Sequence, residues 1–231
     1  MQRRDEQPIG MVADLTARLR LGRGRGLAPL AASRLFEPPL RETIEMADIR
    51  TDDNVVVLGS ADLRLIPWVA PRCRQLMFVD DLPDDDLARM ESEQLGAGYS
   101  NVKFQWGRAN VIPTPQYTND RVISINYVYR SRHPFPVVRQ MYTTSRHGSL
   151  IVCCEPSSSL DSRTARKYSR EASLSMEDHR ALIAYARTAR VHRGFTREGV
   201  ASLLSRAGIQ EVEIRELLHG LVLAARGVVR L

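Results

Sequence analysis

A short aliphatic run followed by a glycine constrains this chain more than any other stretch. Residues 55–58 read Val-Val-Val-Leu, which is typical of a strand buried on both faces of a parallel sheet. Gly59 interrupts the run, and apolar residues then recur with helical spacing. A second apolar run ends at Asp80 and Asp81, and Asp80 lies 21 residues after Gly59. The stretch 54–81 therefore predicts a strand, a turn, a helix and a second parallel strand.

This layout is that of a nucleotide-binding unit. A tight turn lets backbone approach the ligand, and an acid after the second strand accepts hydrogen bonds from ribose hydroxyls. The candidate contacts are Gly59, Ser60 and Ala61 in the turn, and Asp80 with Asp81 as its alternate. Because the turn holds a single glycine, an ordinary strand–helix–strand unit without a nucleotide remains an alternative.

The composition restricts the class of protein. A chain of 231 residues can form one sizeable α/β domain with an added segment. A hydrophobic content of 43% is ordinary for a globular protein, and no apolar run approaches the roughly 20 residues of a membrane span. The three cysteines, Cys73, Cys153 and Cys154, form no CxxC pair. We therefore expect no disulfide framework, no metal site and a cytoplasmic location.

The net charge of +6 comes almost wholly from arginine, since the only lysines are Lys103 and Lys167. Arginine is suited to planar anions such as phosphate and carboxylate. Two interpretations remain open: a GC-rich coding sequence that favours arginine codons, or an anionic or nucleic-acid partner.

The chain divides into a lead-in and a main domain. Residues 1–46 are expected to form an N-terminal helical lead-in or lid beside the nucleotide pocket, and residues 47–231 to form the main domain. Within it, apolar runs predict further strands at 101–106, 121–127 and 149–154, and helical spacing predicts a helix at 136–145. Strands that alternate with helices predict a doubly wound, mostly parallel sheet.

The segment at about 157–197 departs from this alternation. It is rich in serine and then in arginine, and it predicts an insertion with one helix from Met176 to Ala189. The insertion either covers the carboxyl edge of the sheet, where ligands of open α/β sheets bind, or is a solvated helix face. From Thr196 the alternation resumes with a capped helix, and two last strands predict an antiparallel hairpin.

With these pieces in order, the chain from about Leu40 onward resembles the class I S-adenosylmethionine-dependent methyltransferases. HGSLIVCCEP (147–156) matches the family's Gly-Gly turn, fifth strand and Glu-Pro, and FTREGVASLLSRAGIQEVEIREL (195–217) follows its Thr-x-Glu…Leu-x-x-Ala-Gly-Phe…Val pattern. Of the family's glycine loop only Gly59 is kept, with Ala61 and Leu63 at later glycine positions. The resemblance implies a doubly wound, mostly parallel seven-stranded sheet with an antiparallel C-terminal hairpin.

The resemblance also implies a cofactor and a site. S-adenosylmethionine (SAM) is the expected cofactor, and the acid that holds its adenine in the family corresponds here to Arg108. Catalysis is expected near the end of the fourth strand, with His133 as the candidate base and Tyr127 beside it. The full set of expected cofactor contacts is Gly59, Ser60, Ala61, Asp80, Asp81, Arg108, Ala109 and Asn126.

Two functions follow from this resemblance. The first is methyl transfer to a small-molecule acceptor, which is anionic if the arginines of the insertion contact it. The second is a non-catalytic binding subunit or RNA-associated protein that has lost cofactor use. The first predicts that Leu63 turns into the helix–sheet packing, whereas the second predicts that Leu63 or Arg108 intrudes into the adenosine volume. No Asn-Pro-Pro-Tyr-type motif occurs, so methylation of a nucleic-acid base has less support.

Overall fold

The computed structural model describes residues 33–59, 63–108 and 110–231. Its strands are β1 Asn54–Leu58, β2 Gln75–Asp80, β3 Val102–Trp106, β4 Asn119–Ile125, β5 Ser145–Pro156, β6 Ile209–Leu217 and β7 Val222–Val229. Its α-helices are α1 Glu37–Ala47, α2 Ile66–Val69, α3 Asp84–Gly96, α4 Pro134–Thr144, α5 Ser162–Glu171, α6 Met176–His192 and α7 Arg197–Arg206. Short 3₁₀ turns cover Arg34–Phe36, Leu63–Leu65, Ala70–Arg72 and Val128–Arg130.

The seven strands form one sheet in the order β3-β2-β1-β4-β5-β7-β6. The pairs from β3 through β5 are parallel, and β7 runs antiparallel to both β5 and β6. This confirms the doubly wound, mostly parallel sheet with an antiparallel C-terminal hairpin. The order reverses between β1 and β4, so a crevice opens at the carboxyl ends of these two strands.

Both faces of the sheet are covered, which explains the unbroken apolar run in β1. Val55 and Val57 pack with α1, α3 and α6, whereas Val56 and Leu58 pack on the other face with α4 and α7. Successive side chains of a strand point to opposite faces, so a strand covered on both sides is apolar at every position. Because β1 is a central strand between β2 and β4, its carboxyl end lies at the crevice.

The single helix expected after β1 is replaced by short turns. Leu63–Leu65 is a 3₁₀ turn, α2 lasts four residues, and Ala70–Arg72 is a second 3₁₀ turn. Pro67 and Pro71 are the second residues of the last two segments. A proline ring removes an N–H donor and collides with the preceding turn, so a continuous helix cannot pass through Pro71.

Helix α1 belongs to the helical layer of the domain. It packs on β5 and β7, and Arg121, the third residue of β4, donates to the carbonyl oxygens of Ala47 (2.7 Å) and Asp48 (2.8 Å). The prolines after Glu37 occupy the first turn, where a missing N–H is tolerated. The division at residue 46 and the lid role stay predictions, and residues 1–32 lie outside the described residues.

The insertion contains two helices where the sequence predicts one. Helix α6 begins at Met176 as expected and continues to His192, beyond Ala189. Helix α5 has no large apolar stripe, since its buried residues are Ala165 and Ser169, and hydrophobic spacing therefore does not reveal it. A hydrogen bond of 2.7 Å between Ser169 Oγ and His179 Nδ1 ties α5 to α6.

No helix in the described part of the chain is both long enough and apolar enough to span a bilayer.

Candidate functional site

The candidate site lies at the carboxyl ends of the parallel strands, beginning at the turn after β1. Gly59 has a φ of +88°, a conformation that L side chains rarely adopt, and its N–H donates to the carbonyl of Val79 (2.9 Å). A Cβ built on Gly59 would lie 3.0 Å from Cδ2 of Tyr127. The turn after β1 and the residue two positions after β4 are therefore in close contact, and both features favour glycine here.

Two acidic residues, Asp80 and Asp81, lie next to this turn. Asp80 is the last residue of β2, its Oδ1 accepts the N–H of Asp81 (2.7 Å), and its carbonyl accepts the N–H of Gly107 (2.9 Å). Burial raises the pKa of Tyr127, and the charges of Asp80 and Asp81 raise it further. Tyr127 therefore stays a neutral phenol between the glycine turn and the two acids. The structure brings Gly59, Asp80, Asp81 and Tyr127 together at this edge, and their contacts with a cofactor or substrate stay predictions.

Two residues that could have obstructed a ligand point elsewhere. Leu63 is fully buried in the hydrophobic core on the α1 face of the sheet. Arg108 is exposed, and its guanidinium carbon lies 5.8 Å from the ring centroid of Trp106. Gly107 allows β2 and β3 to end in close packing, because a Cβ there would lie 2.6 Å from Cγ1 of Val79. The predicted contacts Ser60, Ala61 and Ala109 lie outside the described residues.

Asn126 follows β4 and connects the site to the insertion. It is buried with a φ of +54°, and its N–H donates to the carbonyl of Cys154 (2.8 Å). Its Oδ1 accepts a 2.5 Å hydrogen bond from the hydroxyl of Tyr185, a fully buried residue of α6. Part of this amide is thus used to hold α6, and a cofactor contact of Asn126 stays a prediction.

Glu155, near the end of β5, organises the turn that carries Tyr127. Its Oε1 accepts the Ser124 hydroxyl (2.7 Å) and the Val128 N–H (3.1 Å), and its Oε2 accepts the Tyr129 N–H (3.2 Å). Burial raises the pKa of this carboxyl to about 7, although the hydrogen bonds oppose the shift. Sequence reasoning assigns no site role to Glu155, but an acid at the end of an apolar run was the available signal.

The two histidines near this edge have different surroundings. His133 is exposed at the start of α4, where its backbone N–H donates to Ser131 Oγ (3.2 Å). The role of its side chain as a base stays a prediction. His192, at the end of α6, meets the ring of Tyr129 edge-on with centroids 5.8 Å apart. Burial and the charge of Arg130 lower the pKa of His192. Sequence reasoning missed His192 because it lies far from β4 along the chain.

The hydroxyl of Tyr129 is unusual among the buried groups. Within the described residues, it is the one buried side-chain nitrogen or oxygen that has no hydrogen-bond partner. Burial, followed by the charge of Glu155, raises the pKa of Tyr129, so the hydroxyl is neutral. Such a group can donate to a ligand or to a water molecule.

A cavity of about 480 Å³ lies at the opposite, amino edge of the sheet and is lined largely by charged side chains. These charges largely satisfy one another: Arg121 Nε lies 3.4 Å from Asp53 Oδ2, and Arg146 Nε lies 3.1 Å from Asp120 Oδ1. Within the described residues, no group of three or more His, Cys, Asp or Glu side chains could hold a metal ion.

Comparison with solved structures decides the fold. A SAM-dependent methyltransferase from Aquifex aeolicus superposes with a TM-score of 0.60 at 12% identity, covering 94% of this chain and 98% of that chain. This chain has the class I methyltransferase fold. A SAM-dependent methyltransferase from Thermotoga maritima gives a TM-score of 0.52 at 13% identity, covering 84% of this chain and 90% of that chain. Comparison of the sequence with protein-family models and with curated proteins found no match.

The methyltransferase fold does not by itself fix the reaction. The [4+2]-cyclase SpnF superposes with a TM-score of 0.61 at 12% identity, covering 96% of this chain and 95% of that chain. Since one fold hosts both methyl transfer and cyclisation, the function has to be argued from the residues of the site.

Proposed function

We propose that this protein is a SAM-dependent methyltransferase that acts on a small-molecule acceptor. The observation that carries the proposal is the glycine turn after β1, which lies beside Asp80 while Leu63 is withdrawn into the core. A nucleotide-binding turn needs backbone close to the ligand and an acid at the next strand. Both requirements are met by residues that the fold brings to one edge.

The residues present fit the cofactor. The position of Gly59 excludes a side chain on conformational and steric grounds, so no Cβ there can separate the backbone from a ligand. Asp80 would accept hydrogen bonds from the ribose hydroxyls, and Asp81 would be its alternate. When bound, SAM supplies an electrophilic methyl group on a sulfonium centre. The protein's own contribution is to hold an acceptor nucleophile in line with that group.

The end of β4 is where the acceptor is expected. Tyr127 remains neutral there, so it can donate a hydrogen bond or pack against a ligand but cannot serve as a base near neutral pH. A base is needed only if the nucleophile must lose a proton, and His133 is our candidate for that role. The Glu155 carboxylate accepts three hydrogen bonds from the end of β4 and the turn that follows, and so fixes the conformation of that turn. A fixed turn favours positioning of the acceptor as the main source of catalysis.

The alternative, a non-catalytic binding subunit, requires Leu63 or Arg108 to occupy the adenosine volume. Leu63 packs in the core and Arg108 lies against Trp106 at the surface. These positions support the enzyme over the binding subunit.

Calorimetric titration with S-adenosylhomocysteine tests the proposal without knowledge of the acceptor. We expect the wild-type protein to bind and Asp80→Ala to bind about 5- to 150-fold more weakly, the equivalent of roughly 1–3 kcal/mol for a charge-assisted hydrogen bond. Asp81→Ala is the matched control and should retain most of the affinity. No heat with the wild-type protein would refute cofactor use, and a larger loss in Asp81→Ala would move the ribose contact to Asp81.

A further inference from the structure

Helix α5 carries a row of arginines on one face. Arg163, Arg166 and Arg170 recur at helical spacing and are exposed, whereas the buried residues of α5 are Ala165 and Ser169. With a rise of about 1.5 Å per residue, the row extends roughly 10 Å along the helix axis. It therefore faces solvent as a line of positive charge and not as a single point.

These three guanidinium groups have no ion pair within the described residues, unlike many other arginines of the chain. Arg89, Arg121 and Arg215 each lie within salt-bridge distance of a carboxylate. The neighbouring Lys167 pairs with Glu171 at 3.8 Å. The carboxylate of Asp161 accepts the backbone N–H groups of Arg163 and Thr164. The row thus keeps its charge available to a partner.

Helix stability does not explain every arginine of the row. The amino end of a helix carries partial positive charge, so Arg163 in the first turn of α5 is placed against the helix dipole, whereas Arg170 lies in the last turn, where a cation is favourable. Helix α6 shows the opposite arrangement, with Arg190 and His192 in its last turn, where cations are favourable. The dipole therefore accounts for the basic residues at the ends of α5 and α6 but not for Arg163 at the start of α5.

The surface of α5 fits a phosphate backbone better than a membrane. Helices that bind membranes insert a large apolar face, whereas the small-residue face of α5 is packed inside the protein. The exposed large hydrophobic residues lie outside α5. Arginine forms bidentate hydrogen bonds to phosphate, and a line of about 10 Å can meet more than one phosphate of a strand.

We propose that the face formed by Arg163, Arg166 and Arg170 docks a nucleic-acid strand through its phosphates, without reading its sequence. Helix α5 begins six residues after β5 ends at the carboxyl edge, so the docked strand would pass near the candidate site. The docking surface lies on the outside of the insertion. The inference therefore does not rest on the proposed acceptor or on cofactor binding.

Fluorescence anisotropy with a labelled 20-nucleotide RNA of mixed sequence tests this docking. The triple variant Arg163→Gln, Arg166→Gln, Arg170→Gln should bind at least tenfold more weakly at low salt, and its log–log salt slope should be shallower by about 2, as expected for three lost single-strand phosphate contacts. The matched control is Arg72→Gln, Arg74→Gln, Arg206→Gln, which removes the same charge from the amino edge of the sheet. It should retain the wild-type slope.

Equal weakening in both triple variants would overturn the docking face, because it would show attraction to net charge alone. Binding to vesicles containing phosphatidylserine without binding to the RNA would overturn it in favour of a lipid surface.

The thermal midpoint of the α5 triple variant should be unchanged or slightly higher, and a clear fall would assign the arginines to stability. If the triple variant does not fold, Arg166→Gln alone must still reduce the salt slope. Calorimetry with S-adenosylhomocysteine should be unaffected in the α5 variant, which separates this inference from the proposed function.

Discussion

At the scale of single residues, Gly59 combines a backbone constraint with a contact constraint. Its φ is +88°, and an added Cβ would lie 3.0 Å from the Tyr127 ring. We expect Gly59→Ala to lower the free energy of unfolding by roughly 1–3 kcal/mol, since strained positive-φ backbone alone costs about that much. It should also weaken S-adenosylhomocysteine binding, because Tyr127 or the turn must move. Urea unfolding and calorimetry measure the two effects.

Gly98 provides the matched control for Gly59. Its φ is +93°, but an added Cβ there has no heavy atom within 4 Å. Gly98→Ala should therefore share the backbone cost and leave ligand binding unchanged. If both variants lose ligand affinity equally, the contact between Gly59 and Tyr127 is not what shapes the cleft.

Glu155 makes a pH-dependent contribution to stability. Burial raises its folded-state pKa from 4.5 to about 7. Proton binding therefore favours the folded state, and this contribution is complete below about pH 4.5 and is lost as the pH rises through 7. The loss amounts to about 3 kcal/mol. Glu155→Gln cannot titrate, so its stability should change less between pH 5 and pH 8 than that of the wild-type protein in urea unfolding.

The Ser124 hydroxyl gives an independent check on Glu155. Its hydrogen bond to Oε1 lowers the pKa of the carboxyl, so Ser124→Ala should raise that pKa and move the loss of stability to higher pH. His192 has a lowered pKa and so contributes with the opposite sign. If the pH dependence of stability is the same in Glu155→Gln and Ser124→Ala as in the wild-type protein, the titrating group is not Glu155.

At the scale of elements, α5 depends on its cap because it buries little. Asp161 accepts the N–H groups of Arg163 (2.7 Å) and Thr164 (2.8 Å), and the Thr164 hydroxyl accepts the N–H of Asp161 (3.0 Å). Asp161→Ala should cost about 1 kcal/mol and increase hydrogen exchange of α5 amides. Asp161→Asn keeps an acceptor oxygen and should behave nearly as wild type. Equal losses in both variants would show that charge, and not the capping bond, is what matters.

At the scale of the whole molecule, the thiols report on the cooperativity of the sheet. Cys153 and Cys154 are adjacent in β5 and lie in the cores on opposite faces of the sheet, and burial raises the pKa of Cys153. Only the thiolate reacts, so Cys153 should be labelled through global unfolding, with a urea dependence equal to the equilibrium m-value. Cys73 lies just before β2, and its pKa is raised to about 11.

A Cys73→Ser variant isolates the two thiols of β5 for this measurement. Labelling with a chromogenic disulfide at several urea concentrations then reports on β5 alone. A labelling rate that does not depend on urea would show that the central sheet opens locally.

The sequence by itself determined the elements whose patterns are local. The unbroken run at 55–58 predicted a doubly covered strand, Thr196 predicted the cap of α7, and the two final apolar runs predicted the hairpin. The sequence also predicted that Gly59 and Asp80 lie at the same edge of the sheet. Each stands at the carboxyl end of a strand, and parallel strands of similar length end at the same side of a sheet. The short turns after β1 were foreseeable from Pro67 and Pro71, but helical spacing obscured them.

Only the tertiary structure decided which distant residues meet at the site. Tyr185 reaches Asn126 across 59 positions of the chain, and Glu155 holds the turn at Tyr129 from the next strand. Hydrophobic periodicity specifies which side of an element is buried, but not which element covers it, so these hydrogen bonds have no local signal. Helix α5 was hidden for a related reason, since its buried side consists of small residues that pack only when α6 lies against them. The direction of Leu63, which favours cofactor binding, likewise depended on the packing of the surrounding core.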